Sequence, residues 1–165
     1  LPYLIPMLEN AGAYVLTPRE RDTNPFEVIV DNDGVMAQNH YTETTGDHPW
    51  QNGLSAGFAY LHKEYRDFQN PFREGTYRMV STTQRKKAVS TVCWQPTIPE
   101  TRDYAVYVAY ASLPNSATDA HYTVVHSGGT TTLSINQQMG GGTWIYLGTF
   151  HFNAGTTAKV TQDRL

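Results

Sequence analysis

The spacing of apolar and polar positions changes character near residue 27. Before it, Leu4, Met7, Leu8 and Ala11 recur at helical intervals, and Gly12 stands where a helix would stop. Pro2 suits a first turn, and Pro6 keeps that helix short. Residues 13–17 then read as a strand and 18–24 as a charged loop. From residue 27 the period becomes two. Short strands are predicted at 28–30, 41–45, 57–61, 76–81 and 88–95. Between them, 62–75 has no clean period and reads as a long loop. In 88–95, Ala88, Val92 and Trp94 share one face, while Val89, Thr91 and Cys93 share the other. The clearest stretch is 104–152. Residues 104–111 are apolar on both faces, which predicts a central strand. Strands 122–127 and 130–136 form a hairpin around Gly128-Gly129. Gly140-Gly141-Gly142 breaks the chain before strand 144–152, and Asn153-Ala154-Gly155 turns into a last strand at 158–161. The pattern predicts a mostly β protein: an antiparallel β-sandwich of jelly-roll type behind a short N-terminal helix–strand segment.

Composition narrows the setting. The 165 residues suffice for one domain with a proper core. Charged residues are 16% of the chain, against about 25% in average proteins, and there are eleven tyrosines. Low charge with abundant Tyr, Thr and Gly suits an extracytoplasmic β-sandwich, so a secreted, periplasmic or cell-surface location is expected. A net charge of −3 supplies no basic field, which argues against nucleic acid as a partner. Arg85, Lys86 and Lys87 read as a solvated turn. The single cysteine, Cys93, excludes an internal disulfide and a cysteine-based zinc site, and it reads as a buried, inert thiol. No apolar run approaches the ~20 residues of a membrane span. No signal peptide is visible and the chain opens inside a helix-like segment, so it reads as a piece of a longer polypeptide.

Candidate chemistry is sparse. A hydrolytic zinc site needs three protein ligands and an open position. His40 and His48 with Asp47 or Glu43 supply them on paper, but no ligand motif orders them, so no metal is expected. Asp31-Asn32-Asp33-Gly34 offers oxygen ligands that suit calcium, or else an Asx-rich turn that ends a strand. Glu43 with Asp47, and Glu64 with Asp67, are the nearest carboxylate pairs for glycoside hydrolysis, and each also reads as solvated loop. No Gly-x-Ser-x-Gly elbow is present. Sugar binding is better supported. Sugar rings stack their C–H faces on aromatic planes while their hydroxyls seek polar partners. Trp50 lies in a polar loop beside Gln51 and Asn52. Tyr60, Tyr65, Phe68 and Phe72 lie in or beside the other polar loop. Asn115 and Asp119 could donate or accept from the 115–119 loop, and Tyr122 adjoins it. Trp94 and Trp144 read as core.

The wording of the chain also resembles a known family. Residues 104–108 (Tyr-Ala-Val-Tyr-Val), 115–124 (Asn-Ser-Ala-Thr-Asp-Ala-His-Tyr-Thr-Val), His126 with Gly128-Gly129, Asn136-Gln137-Gln138 and 142–150 (Gly-Thr-Trp-Ile-Tyr-Leu-Gly-Thr-Phe) are similar to the golvesin C-terminal-like domain. That family is also described as the carbohydrate-binding-like domain of xanthan lyases. The resemblance covers roughly residues 27–162, and Val30-Asp31-Asn32-Asp33 resembles its opening strand. The family usually closes with a further apolar strand after the position of Thr161; the sequence reaches Leu165 without it, so one open sheet edge is expected. Residues 8–17 (Leu-Glu-Asn-Ala-Gly-Ala-Tyr-Val-Leu-Thr) with Arg19 and Asp22 resemble instead a helix–strand segment of zinc-dependent N-acetylmuramoyl-L-alanine amidases.

The two resemblances imply a fragment of amidase type over 1–26 and a golvesin-like domain over 27–165. The implied function is a non-catalytic, carbohydrate-binding-like accessory module of an exported bacterial enzyme. Its expected partners are a polysaccharide or peptidoglycan glycan and the catalytic domain of its parent chain. The alternatives are a contribution to a catalytic amidase or xanthan lyase, and a structural or protein-docking insert with no sugar site.

Overall fold

Successive side chains on a strand point to opposite faces, and that alternation decides which residues meet here. The computed structural model describes residues 26–33, 40–58, 70–83, 85 and 89–163. The helix and strand expected before residue 26 lie outside the described residues. Within them the strands are β1 (Tyr41–Thr44), β2 (Gln51–Asn52), β3 (Arg78–Met79), β4 (Thr91–Trp94), β5 (Arg102–Val108), β6 (Ala120–His126), β7 (Gly129–Ile135), β8 (Ile145–Phe152) and β9 (Lys159–Asp163). Five form one antiparallel sheet in the order β1-β4-β9-β6-β7, β5 pairs with β8, and β2 pairs with β3.

The large sheet sorts its residues by row. One inward row runs Tyr41, Trp94, Val160, Val124, Thr131 across all five strands. The next row faces outward: Thr42, Cys93, Thr161, Thr123, Thr132. The hydroxyls of Thr123 and Thr132 lie 3.0 Å apart on it. Cys93 is half-buried in this row, rather than sealed in the core as its apolar flanks predict. Against the inner face lies the β5–β8 pair, and Val108, Leu147 and Phe152 join Ala120, Tyr122 and Val124 in the core. The protein is therefore an antiparallel β-sandwich. Tyr122 is the largest side chain at its centre, 1% exposed, and its hydroxyl accepts from Gln137 Nε2 at 2.7 Å.

β8 changes phase midway. Phe152 and Phe150 point inward, and simple alternation would send Tyr146 in with them. Instead Val106 pairs with Gly148 and Tyr107 with Tyr146, so Leu147 is one residue extra. This β-bulge buries Leu147 and turns Tyr146 outward. Gly148 makes it possible: its φ is 150°, and a Cβ there would meet the Phe150 ring at 2.8 Å.

Several expectations need correction. Residues 28–30 form no strand, since three apolar residues without a ladder partner cannot hold one. Of 57–61, the described part is a lone bridge from Gly57 to Glu74, and 76–81 shrinks to the two residues of β3. β5 is not central; among the described residues it pairs with β8 alone, and its outer positions Ala105 and Tyr107 are exposed. The β6–β7 turn is Ser127-Gly128, one residue earlier than predicted, because His126 pairs with Gly129. The last described strand reaches Asp163 and sits in mid-sheet, paired with both β4 and β6, so the edges of that sheet fall at β1 and β7. Among the described residues no helix is long and apolar enough to cross a membrane.

Two substitutions probe this architecture. Val124→Ala removes fully buried volume and should cost roughly 2–3 kcal/mol in denaturant unfolding, with the m-value unchanged. Gly148→Ala puts a Cβ into the Phe150 ring from a left-handed backbone and should cost on the order of 1–3 kcal/mol; stability equal to wild type would show that the bulge is not required.

Candidate functional site

β1 sends Tyr41 and Glu43 inward and leaves Thr42 and Thr44 exposed. A carboxylate facing the interior needs a charged partner. Arg78 on β3 provides it, with Nε 2.6 Å from Oε1 of Glu43 and Nη2 2.9 Å from Oε2. Two parallel N–H donors on one carboxylate make this a strong, orienting pair. The Tyr41 hydroxyl donates to the same Oε1 at 2.6 Å. Asn52 lies opposite Arg78 in the β2–β3 ladder, and its side-chain oxygen accepts from Arg78 Nη1. The two ionic side chains are 24% and 20% exposed, so the pair is partly shielded without being sealed. Hydrogen bonds from Arg78 hold the Glu43 carboxyl below its ordinary range, against the opposing effect of burial. Burial first, and then the neighbouring Glu43, pushes the Tyr41 phenol well up.

A second polar knot adjoins it. Asp33 accepts from the backbone N–H of Thr76 and from its hydroxyl at 2.8 and 3.0 Å, while Asn32 Nδ2 donates to that hydroxyl at 2.9 Å. The side chains of Asn32 and Asp33 thus pin the distant Thr76 segment, rather than forming a local turn that ends a strand. The two knots wall a small polar pocket of about 340 Å³.

Tyr41, Arg78 and Thr76 also line a much larger cleft, about 1210 Å³, that opens between the sheets. Its walls include Val92, Trp94, Tyr104 and Val106, and it reaches the packed core, since Val108, Ala120 and Phe152 also line it. Three rings cluster on it. Phe58 lies 4.7 Å from Trp144 and 5.2 Å from Phe72, and Phe72 lies 5.7 Å from Trp144. Phe72 is placed by a 3₁₀ turn, Pro71–Arg73, whose cap Asn70 accepts from its N–H at 3.0 Å. Trp144 is not core as predicted; it is partly exposed, just ahead of β8.

The structure distributes the expected site residues unevenly. Trp50 is half-buried, lines the cleft, and donates from Nε1 to Thr44 O at 3.3 Å. Gln51 and Asn52 form β2 and are exposed. Asn115 is exposed in a turn and also lines the cleft. Asp119 is half-buried just before β6. Tyr122 belongs to the core, where neither face of its ring is free. Tyr60, Tyr65 and Phe68 lie outside the described residues, as do Glu64 and Asp67. The 113–117 loop is held by Ser116, whose hydroxyl accepts from Leu113 N–H at 3.2 Å, and by Gln138, which donates to Ser116 O at 3.0 Å. The nearest carboxylate candidates do not act together: Glu43 serves Arg78, whereas Asp47 accepts from Thr83 and Arg85. His40 hydrogen-bonds Gln95 O. Among the described residues no three His, Cys, Asp or Glu side chains converge as metal ligands.

Sequence reasoning missed Arg78, Tyr41 and the Phe58–Trp144 contact. The available signal was the alternation of Tyr-Thr-Glu-Thr, which places Glu43 inward and so calls for a cation.

Comparison with known proteins gives a consistent result. The Golvesin C-terminal domain family matches residues 68–165. A xanthan lyase of Bacillus sp. (strain GL1) is 30% identical over 101 residues, spanning 54% of this chain and 11% of that protein. The solved structure of a Paenibacillus xanthan lyase superposes with a TM-score of 0.64 and 32% identity, over 82% of this chain and 11% of the lyase. The chain thus corresponds to about a ninth of each relative's length. The amidase-like wording of residues 8–22 falls outside the family match.

The ionic pair makes a pH-dependent prediction. Glu43 has a depressed pKa in the folded state, so its contribution is full above the ordinary carboxylate range and is lost as pH falls through the folded value. The stability gap between wild type and Glu43→Gln should be widest above about pH 5 and close below about pH 4. Arg78→Ala should cost roughly 1.5–3 kcal/mol at neutral pH. A gap equal at pH 7 and pH 3 would mean that the carboxylate contributes no charge-dependent stability.

Proposed function

This chain belongs to the golvesin C-terminal domain family, and from that premise we propose that it is a carbohydrate-binding accessory module of an exported polysaccharide-degrading enzyme. The carrying observation is the span of the likeness to xanthan lyases: most of this chain, but only 11% of the relative. A segment of that size within a much longer relative suits a module that positions an enzyme. In this reading the domain proper begins near residue 27, and the module works outside the cytoplasm beside the catalytic domain of its parent chain.

The sugar contact in this reading is the rim of the cleft. Trp50 supplies an aromatic face, and Gln51, Asn52 and Asn115 supply donors and acceptors. Arg78 is already engaged in a charge-balanced pair with Glu43, so the rim suits hydroxyl groups better than acid groups. Stacking with a few hydrogen bonds yields modest affinity, because a shallow site buries little area. Linkage to a catalytic domain raises effective concentration at the polymer.

The test is retention. Affinity electrophoresis in xanthan, and co-sedimentation with peptidoglycan prompted by the amidase-like wording of residues 8–22, compare wild type with Trp50→Ala and Trp50→Phe. Trp50→Ala should weaken retention roughly tenfold, or about 1.4 kcal/mol, with Trp50→Phe intermediate. Circular dichroism checks folding, since the indole N–H also ties to Thr44. No retention of folded wild type on either glycan would overturn the proposal and favour a structural or docking role.

A further inference from the structure

We infer that the outer face of the β5–β8 sheet is a second carbohydrate contact, in which Tyr107 and Tyr146 form a platform for the apolar face of a pyranose ring. The inference rests on the module reading and adds the outer sheet face to the contact proposed there, with Tyr107 also lining the large cleft.

Tyr107 and Tyr146 are direct cross-strand partners with ring centroids 5.3 Å apart and planes inclined at 49°. They are 49% and 54% exposed. Solvent exposure of one tyrosine is ordinary; an exposed pair produced by a backbone irregularity is not. Simple alternation would have turned Tyr146 toward the core beside Phe150. The Leu147–Gly148 bulge reverses that phase, at the cost of a backbone conformation that glycine alone adopts freely. Bulges recur where a side chain must be re-aimed. The result is two adjoining rings on one surface.

The surroundings of the pair match a sugar. The Tyr146 hydroxyl and Thr149 Oγ1 lie 2.8 Å apart, which fixes the ring's direction. Thr149 pairs with Ala105, and beyond them His151 pairs with Asp103, Nδ1 to Oδ1 at 2.8 Å. These positions share the outer face, with about 7 Å between successive pairs along the strand. A glycan stacked on the tyrosines and running along β5 would meet a hydroxyl, an imidazole and a carboxylate in turn, all competent to bond sugar hydroxyls.

Area decides against a protein partner. Two half-exposed rings offer on the order of 200 Å² of aromatic surface. A standard protein interface needs about 800 Å² from each partner. Small Ala105 and polar Thr149, His151 and Asp103 do not extend the apolar patch. One or two sugar rings fit it.

The experiment uses the full chain with soluble xanthan and, in parallel, solubilised peptidoglycan strands. Tyrosines are acetylated with N-acetylimidazole in the presence and absence of glycan, and modified positions are mapped by mass spectrometry in wild type and in Trp50→Ala. Retention is measured for the double variant Tyr107→Ser/Tyr146→Ser. The expected result is several-fold protection of Tyr107 and Tyr146 by glycan, persisting in Trp50→Ala, with roughly tenfold weaker retention of the double variant. Retention of wild type without protection of either tyrosine would overturn the platform and leave the module reading standing. Absence of retention on both glycans would overturn both.

Discussion

The sandwich depends on one seam, where β6 and β8 bring Ala120, Tyr122, Val124, Leu147 and Phe152 together. A two-stranded sheet is marginal alone in water and needs a packed face to persist. The seam gives β5–β8 that face. The large cleft reaches this seam, since Val108, Ala120 and Phe152 line it as well as belonging to the core. The Glu43–Arg78 pair lies outside the seam; within it, the pair would carry a larger desolvation cost.

Inward charge and outward aromatic rings are complementary departures from simple patterning. Glu43 faces inside because the parity of β1 demands it, and Arg78 and Tyr41 then compensate. Tyr146 faces outside because the bulge overrides the parity of β8. Local rules are broken at both places, and each break is compensated by a specific partner or backbone device.

The second half of the molecule was legible in the sequence. Residues 102–152 alternate strongly and are punctuated by Gly and Asn, so four strands emerge close to their observed bounds. The first half was not. β2 and β3 are two residues each, too short to show a period. Glu43 and Arg78 lie 35 positions apart, and no spacing rule links them. The apolar look of Tyr-Ala-Val-Tyr-Val concealed which side of β5 is covered, because tyrosine tolerates either setting. Trp50 and Asn52 stood out as candidates because a large ring in a polar loop is conspicuous; the partial exposure of Trp144 did not, because it directly precedes a strand. The bulge left one trace, Gly148, and a glycine inside a strand has several meanings.

The middle position of β9 sets the order of events during folding. β4 and β6 both flank it, yet it follows them in the chain by many residues. Until β9 arrives, β1–β4 is a pair with one bare edge and β6–β7 a hairpin with another. Such late, non-local closure slows folding and leaves unsatisfied strand edges for a time. The β4 and β6 edges are thus open to mispairing until β9 inserts between them, and one insertion satisfies both.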